Sequence, residues 1–469
     1  MSMVTGMPLA RSCATETVAT LRAGYDSGLT RPLAWRRRQL AQLKRMLKER
    51  EGEWLAALAA DVGKSPTEGW ATEIGVINGE VDHLRRHLDH LARPRAVHVP
   101  IKLGVGRAEV VPEPLGVVLV IAPWNYPLML LLTPMAAALA AGNAVVAKPS
   151  ELAPATSAAL ARLVPEYLDD RAVAVVEGGP DETTELLAEA WDHILYTGNG
   201  RVGRIVLEAA AKHLTPVTLE LGGKTPTLVD QHVDLTVAAR RIAWGKFLNA
   251  GQSCLAPDYV LVHEAVEEQL LDKLAEAVKD FYGPDPSRSA DYGRIVNDRH
   301  LSRLVGLLEK VGPDRVVIGG DTDVADRYLA PTIIRDGSWD EPLMAGEIFG
   351  PILPVLPVPD MEAAIVTVNR NPKPLALYVF TSEAGLADRV IDRTSSGAVG
   401  VNSTVLHLAA SGLPFGGVGA SGMGAYHGKY GFATFSHDKA VLDRATWLDP
   451  WFTYPPYSRL KDRILRLIM

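Results

Sequence analysis

The sequence predicts an α/β protein made of two doubly wound parallel α/β units. One reason is that short apolar runs alternate with helix-patterned segments from Gly116 onward, an order typical of a mostly parallel sheet covered on both faces. A second is that the alternation resumes after Asp230, which indicates another unit. The third is size, because a chain of 469 residues with 47% hydrophobic content can form more than one large core.

The elements follow in order along the chain. Residues 32–92 have a helical pattern, in which Leu40, Leu43 and Leu47 recur at steps of three and four residues. In the first unit we expect strands at GVVLVIA, NAVVAK, AVAVV, DHILYT and PVTLEL, with helices at 155–168 and 201–213. In the second we expect helices at 235–249 and 265–281 and strands at DYVLVH, RVVIGG, ALYVF and AVGVN. The glycine-rich stretch from Pro414 is expected to be irregular, and a short amphipathic segment ends the chain.

Composition and charge exclude several classes of protein. A net charge of −7 and a pI near 6.0 leave no basic excess to neutralise nucleic acid. The most apolar run, Leu128 to Ala141, contains Pro134 and is too short to cross roughly 30 Å of bilayer hydrocarbon. Two cysteines and an N-terminus without a signal-peptide pattern predict a soluble cytoplasmic protein without an integral membrane segment.

Three histidines raise the question of a metal site. His83, His87 and His90 fall on one face of a predicted helix, as ligands of a metal ion would. Arg85 and Arg86 lie beside them, and no cysteine or glutamate partner is evident. We therefore interpret this face as surface and predict no metal.

The loop after the strand DHILYT has the spacing of a dinucleotide-binding fingerprint. Its glycines would let the backbone approach a pyrophosphate at the start of the next helix. Glu220 lies at the end of the following strand, where the fingerprint places the acid that binds a ribose. The residues of this loop are Gly198, Asn199, Gly200, Arg201, Val202 and Gly203.

A second interpretation gives Glu220 a catalytic role. Cys254 lies in the loop NAGQSCLAPD, among small and polar residues, whereas inert structural cysteines are usually surrounded by apolar side chains. A thiol and a carboxylate that meet at a domain junction would supply a nucleophile and a base. An idle thiol and a surface glutamate remain an alternative, so the residues alone leave the question open.

Six motifs occur together in one order between about Trp35 and Lys439. They are PWNYPL, KPSE, LELGGKTP, NAGQSC, EIFGP and PFGGVGASGMGAYHGK. With these motifs the chain resembles the aldehyde dehydrogenases, and within that family the class 3 branch. A lone glycine fingerprint is a weak signal, whereas this ordered set is specific.

The resemblance implies a reaction, a cofactor and a division into domains. It implies that an aldehyde is oxidised to a carboxylic acid with NAD, or with NADP, by a homodimer. The implied dinucleotide-binding domain is 1–96 with 112–223, and the catalytic domain is 224–405. Residues 97–111 and 406–440 would form a bridging β element and a segment that closes the active site, followed by a tail at 441–469.

The resemblance also assigns roles to individual residues. Cys254 would be the nucleophile and Glu220 the base that activates water. The Asn125 amide and the Cys254 N–H would hold the oxyanion. The residues implied in cofactor binding are Lys148 and Glu151 at the adenine ribose, the 198–203 loop, Trp124, and Glu347 and Phe349 at the nicotinamide end.

Two alternatives and one surface question remain at this point. A cofactor-free cysteine hydrolase would also use Cys254, although no histidine partner is evident in a motif. A binding protein on a retired dehydrogenase fold would have no need of Cys254, Glu220 and Asn125. In the tail, Trp451, Phe452, Tyr454 and residues 463–468 could rest on a bilayer, but packing against the body or a partner subunit is the preferred interpretation.

Overall fold

The computed structural model describes residues 13–99 and 106–468. An N-terminal layer of helices comes first, interrupted by a π-helical turn at Trp70–Ile74. Its helices are α1 (Cys13–Asp26), α2 (Leu33–Glu49), α3 (Glu51–Val62), α4 (Pro66–Gly69) and α5 (Gly75–Ala92). Strands β1 (Arg95–Val97) and β2 (Gly106–Pro114) follow this layer.

The first α/β unit is a parallel sheet with helices on its faces. Its elements are β3 (Val117–Ile121), α6 (Met129–Ala141), β4 (Ala144–Lys148), α7 (Pro154–Tyr167), β5 (Val173–Val175), α8 (Pro180–Ala188), β6 (His193–Gly198), α9 (Gly200–Ala211) and β7 (Val217–Leu221). The strand order is β7-β6-β3-β4-β5, with the short antiparallel β17 (Gly422–Met423) at the edge beside β7. The chain runs outward from β3 in both directions, so ligands are expected at the carboxyl ends of β3 and β6.

Helix α6 explains the long apolar run of the sequence. Every residue of α6 is buried, because the helix lies inside the unit rather than on its surface. The helix ends at Gly142, whose φ of 98° favours glycine and where a Cβ would collide with the Arg36 guanidinium. The run from Leu128 to Ala141 is therefore a core helix of a globular unit. Among the described residues no helix combines the length and the apolar character that a membrane span requires.

The second unit repeats the architecture. Its sheet order is β10-β13-β14-β9-β8-β15-β16, parallel except at β10. The elements are β8 (Pro226–Val229), α10 (Leu235–Phe247), β9 (Tyr259–His263), α11 (Glu267–Tyr282), α12 (Asp298–Leu308), β10 (Val316–Ile318), β11 (Thr322–Asp323), β12 (Tyr328–Leu329), β13 (Thr332–Ile334), β14 (Ile352–Val358), α13 (Met361–Asn369), β15 (Ala376–Phe380), α14 (Leu386–Arg393) and β16 (Ala398–Val401).

A third, antiparallel sheet joins distant parts of the chain in the order β1-β2-β18. Strand β18 (Ser436–Arg444) pairs with β2 along its whole length. The expectation of an irregular glycine-rich stretch is wrong at its end, where α15 (Gly428–Thr434) forms. Helix α16 (Arg459–Ile468) ends the described chain. The proposed domain limits stay a prediction.

Candidate active site

Cys254 lies in a loop between α10 and β9 that is held in an unusual backbone conformation. Asn249 and Ala250 have φ values of 52° and 50°, both in the left-handed region, and Gly251 follows with φ of 73°. Such a run is costly for residues other than glycine and is often found at functional sites. A Cβ at Gly251 would collide with the carbonyl oxygen of Gly350. The cysteine loop and the EIFGP loop are therefore in direct contact.

The environment of the Cys254 side chain opposes its ionisation. The thiol is half-buried and packs against the main hydrophobic core. Burial raises the pKa of the Cys254 thiol, and the charges of Glu347 and Glu220 raise it further. The backbone N–H groups of Cys254 and Leu255 act in the opposite direction. The structure thus brings the two sequence-predicted residues, Cys254 and Glu220, into one electrostatic environment.

Glu220 is buried near the end of β7, and its carboxylate lacks a hydrogen-bond partner among the described residues. Its side chain is 2% exposed, and neither carboxylate oxygen has a hydrogen-bond partner among the described residues. Burial raises the pKa of Glu220 well above its usual range, and the nearby Gly417 N–H lowers it only in part. Unpartnered buried carboxylates are rare in proteins and indicate a functional site.

Asn125 lies in the loop between β3 and α6, 2% exposed. Its Nδ2 donates to the carbonyl oxygen of Gln252 at 3.1 Å. This bond crosses from the PWNYP loop to the NAGQSC loop and uses one of the two amide hydrogens. Asn125 is thereby joined to the segment that carries Cys254.

Glu347, Phe349 and Trp124 form one group. Phe349 has a φ of 49°, and its ring meets the Trp124 ring edge-on at 5.4 Å. Burial raises the pKa of Glu347 to about 8, and its Oε1 has no hydrogen-bond partner among the described residues. A Cβ at Gly222 would collide with this carboxylate. The glycine therefore leaves Glu347 room at the junction of the two units.

Lys148 and Glu151 stand at the carboxyl end of β4, next to the switch point of the sheet. Lys148 is buried and its Nζ donates to the carbonyl oxygens of Pro149 and Gly178 at 2.7 and 2.6 Å. Burial lowers the pKa of Lys148, and the charge of Glu151 opposes this effect. Glu151 is exposed at the rim.

The 198–203 loop connects β6 to α9. Asn199 caps the helix, because its Oδ1 accepts from the Val202 N–H at 3.1 Å. The Val202 N–H is thus already hydrogen-bonded within the loop. Gly203 is buried against the Leu221 side chain, and Arg201 is exposed. The loop follows the fourth strand of the unit, whereas the dinucleotide fingerprint belongs after the first strand, where this chain has PWNYP.

The arrangement suits a dinucleotide. The loops after β3, β4 and β6 leave the same edge of the parallel sheet at the switch point. Trp124 lies in the first of these loops, with its ring against Phe349, and Lys148 lies at the end of β4. The unpartnered Glu347 Oε1 is an acceptor that a ribose hydroxyl can satisfy. Gly222 keeps the backbone beside it free of a side chain.

Comparisons with known proteins identify the family of this chain. A family model described as "Aldehyde dehydrogenase family" matches residues 9–441. The chain belongs to the aldehyde dehydrogenase family. A mouse relative named aldehyde dehydrogenase family 3 member A2 is 52% identical over 446 residues, which are 95% of this chain and 92% of the mouse protein. A dog relative named aldehyde dehydrogenase, dimeric NADP-preferring, is 47% identical over 94% of this chain and 97% of its own.

Solved structures of aldehyde dehydrogenases have the same fold. A substrate-bound state of Staphylococcus aureus AldH superposes with a TM-score of 0.95 at 40% identity, covering 98% of this chain and all of that one. A Mycobacterium tuberculosis aldehyde dehydrogenase solved with NAD+ has a TM-score of 0.83 at 29% identity, over 94% and 92% of the two chains. The chain is thus an enzyme of the aldehyde dehydrogenase type, and the sequence-based assignment to the family and to its class 3 branch is confirmed.

Sequence reasoning missed two residues beside the active site of this family member. Lys64 and Glu73 form a buried ion pair under the Asn125 peptide. No motif marks them, because a lysine and a glutamate in a helical region are ordinary surface residues in most sequences. The π-helical turn that contains Glu73 is a local structural signal, but it is not visible in the sequence.

Other groups lie away from the active site. The His83 and His87 rings are 4.3 Å apart on α5, and His87 and His90 are exposed. A cluster formed by Asp230, His232 and Glu383 has the composition of a metal site. The Thr381 hydroxyl donates to Asp230 and Arg389 donates to Glu383, so both carboxylates have protein partners.

The tail keeps its aromatic side chains at the surface. Trp451 and Tyr454 are 58% and 50% exposed, and Phe452 is half-buried. Lys461 of α16 donates to the Tyr454 carbonyl oxygen at 2.7 Å, which ties the tail to itself. Packing of the tail against the body or a partner subunit stays a prediction.

Proposed function

We propose that this chain oxidises an aldehyde to a carboxylic acid with NAD or NADP, through an acyl group carried by Cys254. The observation that carries the proposal is the burial of an unpartnered Glu220 next to the Cys254 thiol. Such a carboxylate is disfavoured unless it serves a ligand or a water molecule. Family membership supplies the aldehyde as substrate class.

In the first step the Cys254 thiol releases its proton to water, and the thiolate attacks the aldehyde carbon so that the carbonyl oxygen becomes an oxyanion. The thiolate gains from the backbone N–H groups of Cys254 and Leu255, which offset part of the unfavourable burial. The second Nδ2 hydrogen of Asn125 and the Cys254 N–H are the donors for the oxyanion. Loss of one such donor typically costs about 3 to 4 kcal/mol of transition-state stabilisation.

When bound, NAD or NADP supplies the acceptor for the hydride that leaves the substrate carbon, which no side chain can replace. The Glu347 carboxylate, whose Oε1 has no partner among the described residues, would accept hydrogen bonds from ribose hydroxyls, and the Phe349 and Trp124 rings would hold the nicotinamide end. Loss of hydride converts the thiohemiacetal on Cys254 into a thioester.

In the last step Glu220 accepts a proton from water as the water oxygen attacks the thioester carbon. Glu220 then passes this proton to the departing sulfur, so the carboxylic acid leaves and both the Cys254 thiol and the Glu220 carboxylate are restored. A base works best when its pKa lies near the working pH, and burial moves the pKa of Glu220 in that direction.

Both cofactors fit the site, with NAD favoured by charge. Glu151 stands at the rim where the adenine ribose is expected, and its carboxylate repels a 2′-phosphate. The dog relative is named NADP-preferring and the Mycobacterium structure contains NAD+. We also propose that the enzyme is a homodimer, supported by the word dimeric in the dog relative's name, and that it is cytoplasmic, where a thiol stays reduced.

The proposal is tested with a panel of aliphatic and aromatic aldehydes, each with NAD and with NADP. Formation of reduced cofactor is followed together with the mass of the trapped acyl-enzyme. We expect turnover and an added acyl mass on the Cys254 peptide, both absent in Cys254→Ala. Ester hydrolysis without any cofactor reduction would instead identify a cysteine hydrolase. Thiol labelling without turnover on any aldehyde would identify a binding protein.

A further inference from the structure

Asn125 is held by its main chain as well as by its side chain. Its carbonyl oxygen accepts from Lys64 Nζ at 3.0 Å and from Asn249 Nδ2 at 2.8 Å. A carbonyl oxygen has two lone pairs, so these two donors satisfy it completely. The orientation of the Asn125 peptide is thereby fixed, and with it the direction in which the side-chain amide leaves the backbone.

Lys64 and Glu73 form a fully buried ion pair behind this peptide. Neither side chain has any exposed surface. Besides Glu73 Oε1 and the Asn125 carbonyl oxygen, the Lys64 ammonium faces the Tyr126 ring, 3.9 Å from its centroid. A buried ion pair is tolerated only when its remaining hydrogen-bonding groups are also satisfied. Here the ammonium has a partner in each of three directions.

Glu73 extends the contact to the next helix. Its Oε2 accepts from the backbone N–H groups of Leu128 and Met129 at 2.9 and 3.0 Å, at the start of α6. A carboxylate there satisfies free donors and interacts well with the helix dipole. Lys64 thus holds the middle of the segment between β3 and α6, and Glu73 holds its end at α6.

We propose that the Lys64–Glu73 pair positions the oxyanion donor by fixing the peptide of Asn125. The inference rests on the role proposed above for Asn125. Capping α6 requires only an acceptor, and filling the core requires only apolar volume, so neither accounts for a buried ammonium bonded to the carbonyl of residue 125. A displacement of about 1 Å at an oriented catalytic group can lower a rate about 100-fold.

The first test replaces Lys64 by methionine, which keeps the unbranched stem and removes the ammonium. We expect the first-turnover rate of cofactor reduction to fall about 10- to 100-fold, with the affinity for NAD unchanged. Alkylation of Cys254 by iodoacetamide, which forms no oxyanion, should keep its wild-type rate. The matched control is Lys44→Met, which breaks the half-exposed pair of Lys44 with Asp82 and should leave all three readouts unchanged.

The second test is a double-mutant cycle with Asn125→Ala. This substitution alone should lower the first-turnover rate of cofactor reduction about 100- to 1,000-fold. If Lys64 acts through Asn125, Lys64→Met costs little more in the Asn125→Ala background. Additive losses would assign Lys64 a purely structural role and overturn the inference. If Lys64→Met does not fold, the same cycle is run with Lys64→Met/Glu73→Gln, which leaves no buried charge unpaired.

The outcomes also separate the inference from the proposed function. A wild-type first-turnover rate in Asn125→Ala would remove the oxyanion role of Asn125 and this inference together. If Asn125→Ala has a lowered first-turnover rate and Lys64→Met has the wild-type rate, only the positioning role is overturned and the proposed function remains.

Discussion

Glu73 and Glu220 are two buried glutamates in opposite situations. Glu73 is completely inaccessible, and both of its oxygens have partners in Lys64, Leu128 and Met129. Glu220 is 2% exposed, and neither of its oxygens has a partner among the residues that the structure describes. Burial alone therefore does not distinguish them, whereas hydrogen bonding does.

The difference separates two uses of a buried carboxylate. Glu73 uses its whole hydrogen-bonding capacity to hold a loop and a helix, so it has none left for a substrate. Glu220 keeps its capacity unused, and burial raises its pKa. Proteins accept the energetic cost of an unsatisfied group mainly where chemistry requires it. The predictions below test whether the two glutamates respond in opposite ways.

The largest expected effect is on turnover by Glu220→Gln. We expect a loss of about 100- to 10,000-fold in steady-state rate, because amide cannot accept the proton from water. The first turnover of cofactor reduction should persist, since it precedes deacylation. Stopped-flow measurement of the burst and of the steady state checks both. If the variant instead loses affinity for NAD and keeps its deacylation rate, Glu220 binds the ribose and is not the base.

The pH dependence gives the second test. Because burial raises the pKa of Glu220, the base form appears only as the pH rises through that raised value. Below it, the deacylation rate should fall about tenfold per pH unit in the wild type. The Glu220→Gln variant should lack this limb in its residual steady-state rate. Single-turnover and steady-state rates measured over a pH series compare the wild type with the variant. If the variant keeps the same fall in rate at low pH, the fall is caused by the titration of another group.

Stability should respond in opposite directions. Glu73→Leu leaves the Lys64 charge buried without its partner, which typically costs about 3 to 5 kcal/mol and lowers the Tm. Glu220→Gln should raise the Tm. The pKa of Glu220 is raised on folding, so its contribution to stability is complete only at low pH and is lost as the pH rises through the folded pKa. The uncharged glutamine does not have this loss. The gain should therefore be larger at pH 8 than at pH 4, as calorimetry at both values would measure. A change in Tm of the same sign in both variants would contradict the comparison of the two glutamates.

The smallest expected effect concerns Glu151 at the exposed rim. Removing its charge in Glu151→Gln should raise kcat/KM for NADP relative to NAD by about five- to tenfold, because repulsion of the 2′-phosphate is lost. High salt should reduce this difference, since the group is exposed. A ratio that does not change would place the adenine ribose elsewhere.

The strands that the sequence predicted best are those with continuous apolar runs. GVVLVIA and ALYVF contain β3 and β15, because strands covered on both faces have no polar side to interrupt the pattern. Strands β8 and β14 were not predicted. Pro226 begins β8, and Pro354 and Pro357 lie within β14, where proline argues against a central strand.

For the site, local motifs located Cys254, Glu220 and Asn125 but not the residues that hold them. Lys64 contacts Asn125 across 61 residues, and Glu73 contacts Leu128 across 55. Such contacts depend on how the N-terminal helices pack against the sheet, which no local pattern contains. The meaning of the fingerprint at 198–203 likewise depends on which strand of the sheet precedes it, and the role of this loop in cofactor binding stays a prediction.

The contact at Gly251 has a mechanical consequence. A Cβ at Gly251 would collide with the carbonyl oxygen of Gly350, so the loop that carries Cys254 cannot shift toward the EIFGP loop without displacing it. If Cys254 carries the acyl group and Phe349 holds the nicotinamide end, as proposed above, substrate binding and cofactor binding are coupled through this contact. A bulky adduct on the sulfur should loosen dinucleotide retention even where the two molecules never touch.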